Sequence, residues 1–247
     1  MQGRKLGRMK TVAALSWVVW MASASCSAQT LVIRLYDYVG FTATDAVHLS
    51  HTVDRAISHS GIHISWRHCL GPLALPFGTA CQGEISFNEI AVNLEPHRAR
   101  NSNDPRLCMG QASVNAVGGY SADIFVPAVR EQATRFGLPL GVLSGYVLAH
   151  EVGHCLLGPG HSYAGLMRSQ WTLKDAQEIS QLSLHLTHQE REKALARVAW
   201  LNAAGPSLGQ SYSPAEREHH RHGSLADATT PLSSRNAVTS KSIRRTQ

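Results

Sequence analysis

The sequence predicts a single α+β domain that contains a mixed, twisted sheet, one buried helix and a carboxyl-terminal helix. Segments typical of β-strands, rich in apolar and β-branched residues, precede the longest helical pattern in the chain. That pattern is apolar on nearly every side, which indicates a helix surrounded by the rest of the protein. A further helical segment with its own capping residues follows it. Elements in this order pack as layers of helix and sheet around one core.

The predicted domain occupies residues 29–202, and the two ends of the chain differ from it in composition. Residues 1–28 combine a basic start, a short apolar run and small residues suited to cleavage, as in a secretory signal peptide. An uncleaved membrane anchor is the alternative, but the run is shorter than the roughly 20 residues of a membrane span. Residues 203–247 lack an apolar period and are predicted to form a disordered basic tail. We therefore expect a secreted or periplasmic protein with no other membrane-crossing segment.

The net charge of +6 belongs to the ends of the chain. Residues 1–28 and 203–247 together hold ten of the 23 Lys and Arg residues but only three of the 17 Asp and Glu residues. The predicted domain is left with 13 basic and 14 acidic residues. Its charge therefore gives no argument for a nucleic acid partner.

The elements on either side of the buried helix are predicted from periodicity, turn residues and caps. They are a strand at 31–38, a helix capped by Thr44 or Asp45, a strand at 62–66, a strand at 85–94 with a bulge near 88–89, short strands at 112–117 and 122–126, a helix at 128–136, and a last helix from the capping box Thr187–Glu190 to about Leu201.

The buried helix is predicted to begin near Pro139, a residue favoured in the first helical turn. Gly145 and Gly153 lie inside it, where each costs about 1 kcal/mol relative to alanine. Their presence indicates that another part of the protein packs closely against the helix at both positions.

Four cysteines remain after removal of the signal peptide: Cys69, Cys81, Cys108 and Cys155. An even number in an exported protein favours disulfide bonds, with three possible pairings, and we expect no free thiol. Cys69–Cys81 would close a local loop, and Cys108–Cys155 would then join a loop to the buried helix. Four reduced thiols are the alternative. No pair has the CxxC spacing of a cysteine zinc site.

Residues 150–154 read His-Glu-Val-Gly-His on the buried helix. Residues four apart share a helix face, so His150 and His154 can direct imidazole nitrogens to one point. Glu151 is rotated by about 100° from His150 and can reach a water molecule without binding the metal. This arrangement is typical of two zinc ligands and a general base. The alternative of two surface histidines and a helical glutamate is disfavoured, because polar groups on a buried helix need partners.

A catalytic zinc site needs a third protein ligand and an open position. His161 follows His154 by seven residues, and on a continuous helix it would lie about 10 Å further along the axis. The sequence Gly-Pro-Gly at 158–160 ends the helix and allows the chain to bend back. His161 is therefore predicted to be the third ligand rather than a solvated loop residue.

The stretch from 150 to 167 shares three features with a known family: the His-Glu-x-x-His pair, Gly-x-x-His at 158–161, and Met167 in a Gly-Leu-Met sequence. In these features it resembles the metzincin metallopeptidases, in which a methionine-containing turn lies under the metal. One residue is additional, because three residues stand at 155–157 where the family has two. We expect the helix to extend by one residue and a rotated turn to return His161 to the metal.

Residues 31 to about 201 also resemble a group of bacterial secreted zincin-like proteins with the motif HE-x-GH-x-LLG, a following His-Ser and a Gly-x-Met turn. The resemblance implies a zincin-like, metzincin-like fold and no particular substrate. Thermolysin-like zincins place a ligand glutamate further along the chain, at the distance where Glu178 lies here. Glu178 is therefore the alternative third ligand.

Other polar side chains are weaker candidates. Tyr146 and Tyr163 flank the ligands and could stabilise a tetrahedral intermediate, although packing is the favoured interpretation of each. The remaining histidines of the first half of the domain are predicted to be solvated on or near a helix face: His48, His51, His59, His63 and His68.

Together these features predict a zinc-dependent hydrolase, best interpreted as a metallopeptidase acting on peptides or proteins. His150, His154 and His161 are expected to bind Zn²⁺, and Glu151 is expected to act as general base on a zinc-bound water. A strand near 113–117 would offer its edge to an extended peptide. The competing hypothesis is a non-catalytic binding protein stabilised by zinc, and it is disfavoured because structural zinc sites fill all four positions with protein ligands. No stable membrane insertion is expected after signal cleavage.

Overall fold

The computed structural model describes residues 29–74, 81–100, 108–115 and 118–208. The predicted signal peptide at 1–28 and most of the predicted tail, 209–247, lie outside the described residues. The four residues predicted to form the metal site all lie inside them.

The described strands form one five-stranded mixed sheet, as predicted. They are β1 (Gln29–Asp37), β2 (Ile62–Leu70), β3 (Glu89–Glu95), β4 (Gly110–Asn115) and β5 (Gly118–Phe125). Their spatial order is β2-β1-β3-β5-β4. The first four strands in this order are parallel, whereas β4 pairs antiparallel with β5 and forms an edge of the sheet. In the described part of the chain, β4 therefore has one backbone edge without a strand partner.

The helices pack around a central one. They are α1 (Ala43–Ser58), α2 (Val126–Phe136), α3 (Leu140–Leu157), α4 (Leu173–Ser180) and α5 (His188–Leu208). The central helix α3 packs against the other four helices and against the sheet at β3, β4 and β5. Most of its side chains are buried, including those of His150 and Glu151. The predicted α+β class, with a mixed sheet, a buried helix and a carboxyl-terminal helix, is confirmed.

Helix α3 is also long and apolar enough to cross a membrane by length and composition. By length and composition alone, α3 would therefore count as a further candidate membrane span. In the structure, 83% of the helix is buried inside the protein. Its apolar surface is used by the core, a distinction that length and composition alone do not make.

The two glycines inside α3 lie at close contacts, as predicted. A Cβ atom on Gly145 would lie 2.6 Å from the Thr52 Cβ and 2.7 Å from the Leu49 carbonyl oxygen, both on α1. A Cβ atom on Gly153 would collide with the sulfur of Met167. Glycine therefore lets α1 approach one side of α3 and Met167 approach another.

Several boundaries differ from the prediction, and three of the differences have a clear local description. Helix α1 is capped by Thr42 rather than by Thr44 or Asp45, because the Thr42 Oγ1 accepts a hydrogen bond from the Asp45 amide at 3.1 Å. Strand β3 begins at Glu89, so 88–89 is a strand end and not a bulge: the Glu89 amide closes a turn onto the Ser86 carbonyl at 3.0 Å. The glycines at 118–119, expected to end a strand, instead begin β5.

Helix α4 is absent from the prediction, and α5 continues to Leu208 rather than ending near Leu201. The capping box that starts α5 is confirmed: the Thr187 amide donates to the Glu190 carboxylate at 2.7 Å, and the Glu190 amide donates to Thr187 Oγ1 at 3.4 Å. Helix α4 has an equivalent box formed by Thr172 and Asp175. The short length of α4 hides it from a search for apolar periodicity.

The four cysteines of the predicted domain include one disulfide-bonded pair. Cys69 and Cys81 form a disulfide bond, as predicted. Cys108 and Cys155 do not, so the prediction of a fully oxidised protein is wrong. The Cys155 thiol contacts the Ser121 carbonyl oxygen at 3.7 Å, whereas the Cys108 thiol donates to the Gly110 carbonyl oxygen at 3.3 Å. Cys155 is buried where α3 meets Gly119 of β5.

Candidate metal centre

Three histidine side chains converge at the carboxyl end of α3. Each of His150, His154 and His161 places one ring nitrogen within 4.8 Å of those of the other two. The Nε2 atoms of His150 and His154 are 3.1 Å apart. The His161 ring centroid lies 5.4 Å from that of His150 and 4.9 Å from that of His154. In the described part of the chain, this is the group of metal-binding side chains that the geometry identifies.

The Nδ1 atoms of His150 and His154 are both hydrogen-bonded to backbone carbonyl oxygens. The Nδ1 atom of His150 lies 2.8 Å from the Leu166 carbonyl oxygen, and that of His154 lies 3.2 Å from the Gly158 carbonyl oxygen. A carbonyl oxygen can only accept, so each Nδ1 carries the proton and each Nε2 presents a lone pair. Two such lone pairs facing each other at 3.1 Å repel unless a cation lies between them. This second hydrogen bond to a carbonyl is also typical of metal-binding histidines.

The charge state of the rings agrees with this tautomer. Burial is the main cause that lowers the pKa of His150 to about 4; the hydrogen bond with Leu166 opposes this change, and the neighbouring His154 and His161 reinforce it. Burial also lowers the pKa of His154. Both rings are therefore neutral near pH 7, and the neutral imidazole is the form that binds metals.

The extra residue before Gly158 lies within the helix. Residues 155–157 are all helical, and the Gly158 amide still donates to the His154 carbonyl oxygen at 2.9 Å. The chain then bends through Gly158 and Gly160, whose φ angles are 90° and 118°. These positive values suit glycine and reverse the chain direction. His161 consequently lies beside the other two rings, although its side chain is exposed.

A turn containing Met167 lies against the same end of α3. Gly165 has a φ of 73°, and the Ser162 amide donates to the Met167 carbonyl oxygen at 2.9 Å. Met167 is 2% exposed, with its sulfur against Gly153, the residue before His154. The Leu166 carbonyl in this turn is the partner of His150 Nδ1. The methionine therefore supports the site through packing.

The Glu151 side chain contacts β4. Its carboxylate packs on the backbone of Gly110, where an added Cβ would lie 2.6 Å from Oε1. Burial, with a further contribution from the charge of Asp123, raises the pKa of Glu151 to about 8, although a hydrogen bond from the Ala112 backbone opposes the change. Glu151 can therefore exchange a proton near neutral pH.

The weaker candidates lie in different environments. Tyr146 is fully buried and its ring contacts Trp171 edge-on, which supports the packing interpretation. Tyr163 is 98% exposed, so it does not pack and is open to solvent beside His161. Glu178 is not in the ligand cluster. Of the histidines predicted to be solvated, His68 is half-buried. The other four are exposed: His48, His51, His59 and His63.

Sequence reasoning missed three residues around the centre. Trp171 donates from Nε1 to the Leu166 carbonyl oxygen at 3.4 Å and packs edge-on against the His150 ring. Arg168 and Asp175 form an ion pair at 2.8 Å behind the turn. The sequence Thr-Leu-Lys-Asp at 172–175 carries a helix-capping signal that could have placed Asp175. Nothing in local periodicity indicates the partners of Arg168 and Trp171.

Comparisons with known proteins give only distant similarities. No protein-family model matches the chain, and no curated protein matches it in sequence. The chain is similar to the crystal structure of metalloproteinase-II from Bacteroides fragilis, with a TM-score of 0.45, 14% identity, and coverage of 71% of this chain and 55% of the other. It is also similar to archaemetzincin from Methanopyrus kandleri, with a TM-score of 0.43, 17% identity, and coverage of 70% and 98%.

The chain thus spans about half the length of the Bacteroides protein. Similarity at this level carries no argument about individual residues or activity. The interpretation of the centre rests instead on its own geometry: a buried His-Glu-x-x-His helix, a bend to a third histidine, and a methionine turn against the helix.

Proposed function

We propose that the protein is an exported zinc-dependent hydrolase that cleaves peptide bonds. The observation that carries this proposal is the pair of facing Nε2 atoms of His150 and His154, 3.1 Å apart, with both Nδ1 atoms turned to carbonyl oxygens. Two imidazoles bound to one tetrahedral zinc at about 2.05 Å would have nitrogens about 3.3 Å apart. The donor set therefore fits such an ion with little movement.

Three histidine ligands leave one position of a tetrahedral site without a protein ligand. That number is typical of catalytic zinc, whereas structural sites use four protein ligands. Imidazole nitrogen also binds copper, nickel and iron, so metal analysis of the purified protein decides the metal. When bound, the ion would act as a Lewis acid that polarises a carbonyl group and a water molecule.

The role proposed for Glu151 is that of general base. Glu151 directly follows His150 on α3 and is not part of the ligand cluster, so its carboxylate is proposed to reach a water molecule rather than the metal. An Oε atom would accept a proton from the attacking water and later pass it to the leaving nitrogen. A carboxyl whose pKa lies near neutral pH suits both transfers.

The substrate would lie along β4. This strand forms one edge of the sheet, and Gly110 in it contacts Glu151. An extended peptide can add to such an edge through backbone hydrogen bonds, which would bring its carbonyl groups to Glu151 and the histidines. The exposed ring of Tyr163, two residues after His161, is available to the same peptide.

Export is proposed from the composition of residues 1–28 alone. Protein recovered outside the cytoplasm should have a mass that is lower than that of the full chain by about the mass of this segment, as mass spectrometry would show. An intact amino terminus in exported protein would contradict cleavage and favour an anchor.

Glu151→Gln tests the catalytic proposal. Glutamine keeps the shape and can still accept the hydrogen bond from Ala112, so folding and zinc content should be nearly unchanged. Loss of the base should slow peptide cleavage by roughly 10²–10⁴-fold. The assay compares wild type and variant at equal zinc occupancy on an unbiased peptide mixture by mass spectrometry.

Glu178→Gln is the matched control, because it makes the same substitution on the neighbouring helix α4. It should cleave at the wild-type rate. If Glu151→Gln also cleaves at that rate, Glu151 is not the base. If zinc-loaded wild type cleaves no peptide in the mixture, the result favours the non-catalytic binding protein.

A further inference from the structure

The third histidine is held differently from the first two. The rings of His150 and His154 are each fixed by a hydrogen bond from Nδ1 to a carbonyl oxygen. Among the described residues, no such bond to the His161 ring is found, and the side chain is exposed. His161 also lies between two glycines of positive φ, Gly160 and Gly165, in a segment without helix or strand. Without such a bond, the position of the His161 ring depends on the backbone that carries it.

That backbone is held by Arg168. The Nε and Nη2 atoms of Arg168 both donate to the carbonyl oxygen of Tyr163, at 3.0 and 2.8 Å. The same segment is closed at its base by the hydrogen bond from the Ser162 amide to Met167. The loop at 162–168 is thus fastened at two successive positions, directly after His161.

Asp175 fixes the Arg168 side chain from behind. Arg168 Nη1 donates to both carboxylate oxygens of Asp175, at 3.2 and 2.8 Å. Asp175 is 5% exposed and also accepts hydrogen bonds from the amide and hydroxyl of Thr172, at 2.6 and 2.7 Å. The carboxylate is therefore anchored at the start of α4 independently of Arg168. The guanidinium joins an anchored helix to the histidine loop through a planar fork of donors.

We propose that Arg168 and Asp175 position His161 as a metal ligand. This inference rests on the proposed metal site. It explains how His161, which is exposed and follows an additional residue and a glycine-rich bend, is held in one position. Without the guanidinium, the Tyr163 carbonyl loses both its donors, and the loop samples conformations in which His161 points away from the other rings. Arg168 is a positioning residue here, because it acts on His161 through its hydrogen bonds with the Tyr163 carbonyl oxygen.

Arg168→Met tests the proposal, since it keeps most of the side-chain length and removes the donors. Zinc affinity is measured by competition with a chromogenic chelator. Residues that orient metal ligands typically change affinity by about 10–100-fold, and a loss of that size is expected. Arg168→Lys should restore little of the lost zinc affinity, because an ammonium group cannot reproduce the forked set of donors that bonds one carbonyl and one carboxylate. Arg98→Met is the matched control, because Arg98 forms a surface pair with Glu131 at 2.7 Å.

A double-mutant cycle separates positioning from general weakening of the protein. His161→Ala should lower zinc affinity, and adding Arg168→Met to it should lower the affinity no further, since the ligand that Arg168 positions is already gone. If the two losses instead multiply, Arg168 acts independently of His161 and the inference is wrong. If Arg168→Met matches Arg98→Met, the inference fails while the proposed function stands. If the wild type binds no zinc, the proposed function fails first and the positioning role fails with it.

A second readout needs no metal. Tyr163 is 98% exposed, so chymotrypsin can reach it, but cleavage also requires the backbone to open. In metal-free protein, Arg168→Met should be cut after Tyr163 several-fold faster than wild type, as followed by mass spectrometry. Equal rates would show that Arg168 does not hold the loop, and would overturn the inference.

Discussion

The two parts of the candidate metal centre are built in different ways. His150 and His154 lie on a buried helix, one turn apart, and each ring has a backbone acceptor for its second nitrogen. His161 lies on an exposed loop and depends on contacts made by Arg168, five residues beyond the neighbouring Tyr163. The helical part is preorganised by the packing of the core, whereas the loop part is preorganised by a few polar contacts near the surface.

The difference has an energetic consequence. A buried side chain contributes to folding as well as to metal binding, so its loss affects the protein even when no ion is present. An exposed ligand contributes to binding alone. The helical pair should therefore be coupled to global stability, and the loop ligand should be coupled to the order of its own segment.

The largest expected effect comes from replacing ligands of the two parts. His150→Ala and His161→Ala should both lower zinc content far more than Glu178→Ala does, as metal analysis of the purified variants would show. In metal-free protein the two histidine variants should differ in their free energy of unfolding. His150→Ala removes a buried ring and its hydrogen bond, which should lower the free energy of unfolding by about 1–3 kcal/mol, whereas His161→Ala should change it by less than about 0.5 kcal/mol.

Urea unfolding of the metal-free variants measures this difference. Equal destabilisation by the two substitutions would remove the distinction between the parts. Zinc retained in His161→Ala at the level of Glu178→Ala would remove His161 from the ligand set.

A smaller effect is expected where the helical part meets the methionine turn. Gly153→Ala would push a methyl group into the Met167 sulfur, and overpacking of this kind costs about 1–3 kcal/mol. Because the turn also holds the acceptor of His150 Nδ1, zinc affinity should fall as well. Gly145→Ala is the control: its methyl group would meet Thr52 on α1, so stability should fall and zinc affinity should not. Equal zinc affinities for the two variants would contradict this role of the turn.

The smallest effect concerns the pH dependence of the loop part. Burial by itself would raise the pKa of Asp175, but hydrogen bonds from Thr172 and Arg168 and the charge of Arg168 outweigh it and lower the pKa. A carboxyl with a lowered pKa stabilises the folded state above its unfolded pKa, about 3.9. That contribution is lost as the pH falls through the folded value.

The free energy of unfolding of metal-free wild type should therefore exceed that of Asp175→Asn at about pH 7, and the gap should narrow below about pH 4. Urea titrations at several pH values check this. A gap that stays constant into acid would mean that the ionised form of Asp175 is not what stabilises the loop.

Much of the helical part could be predicted from the sequence because its determinants are local. The four-residue spacing of His150 and His154 fixes a shared helix face. Gly153 predicts a close contact but does not identify Met167 as the residue that makes it. The loop part was harder to predict. The bend at 158–160 predicts that the chain turns back, but the contacts of Arg168 with Tyr163 and Asp175 follow from how α4 packs, and α4 itself is too short to stand out.

What the sequence by itself determined is the chemistry available: a buried helix with two histidines and a glutamate, a break after it, and a third histidine. These follow from the period of the α-helix and the backbone preferences of glycine and proline, which act over a few residues. The tertiary structure alone decided the order of the sheet strands, the separation of Cys108 from Cys155, and the polar contacts that support His161. Each of these depends on which distant segments share the core, and no local pattern encodes that choice.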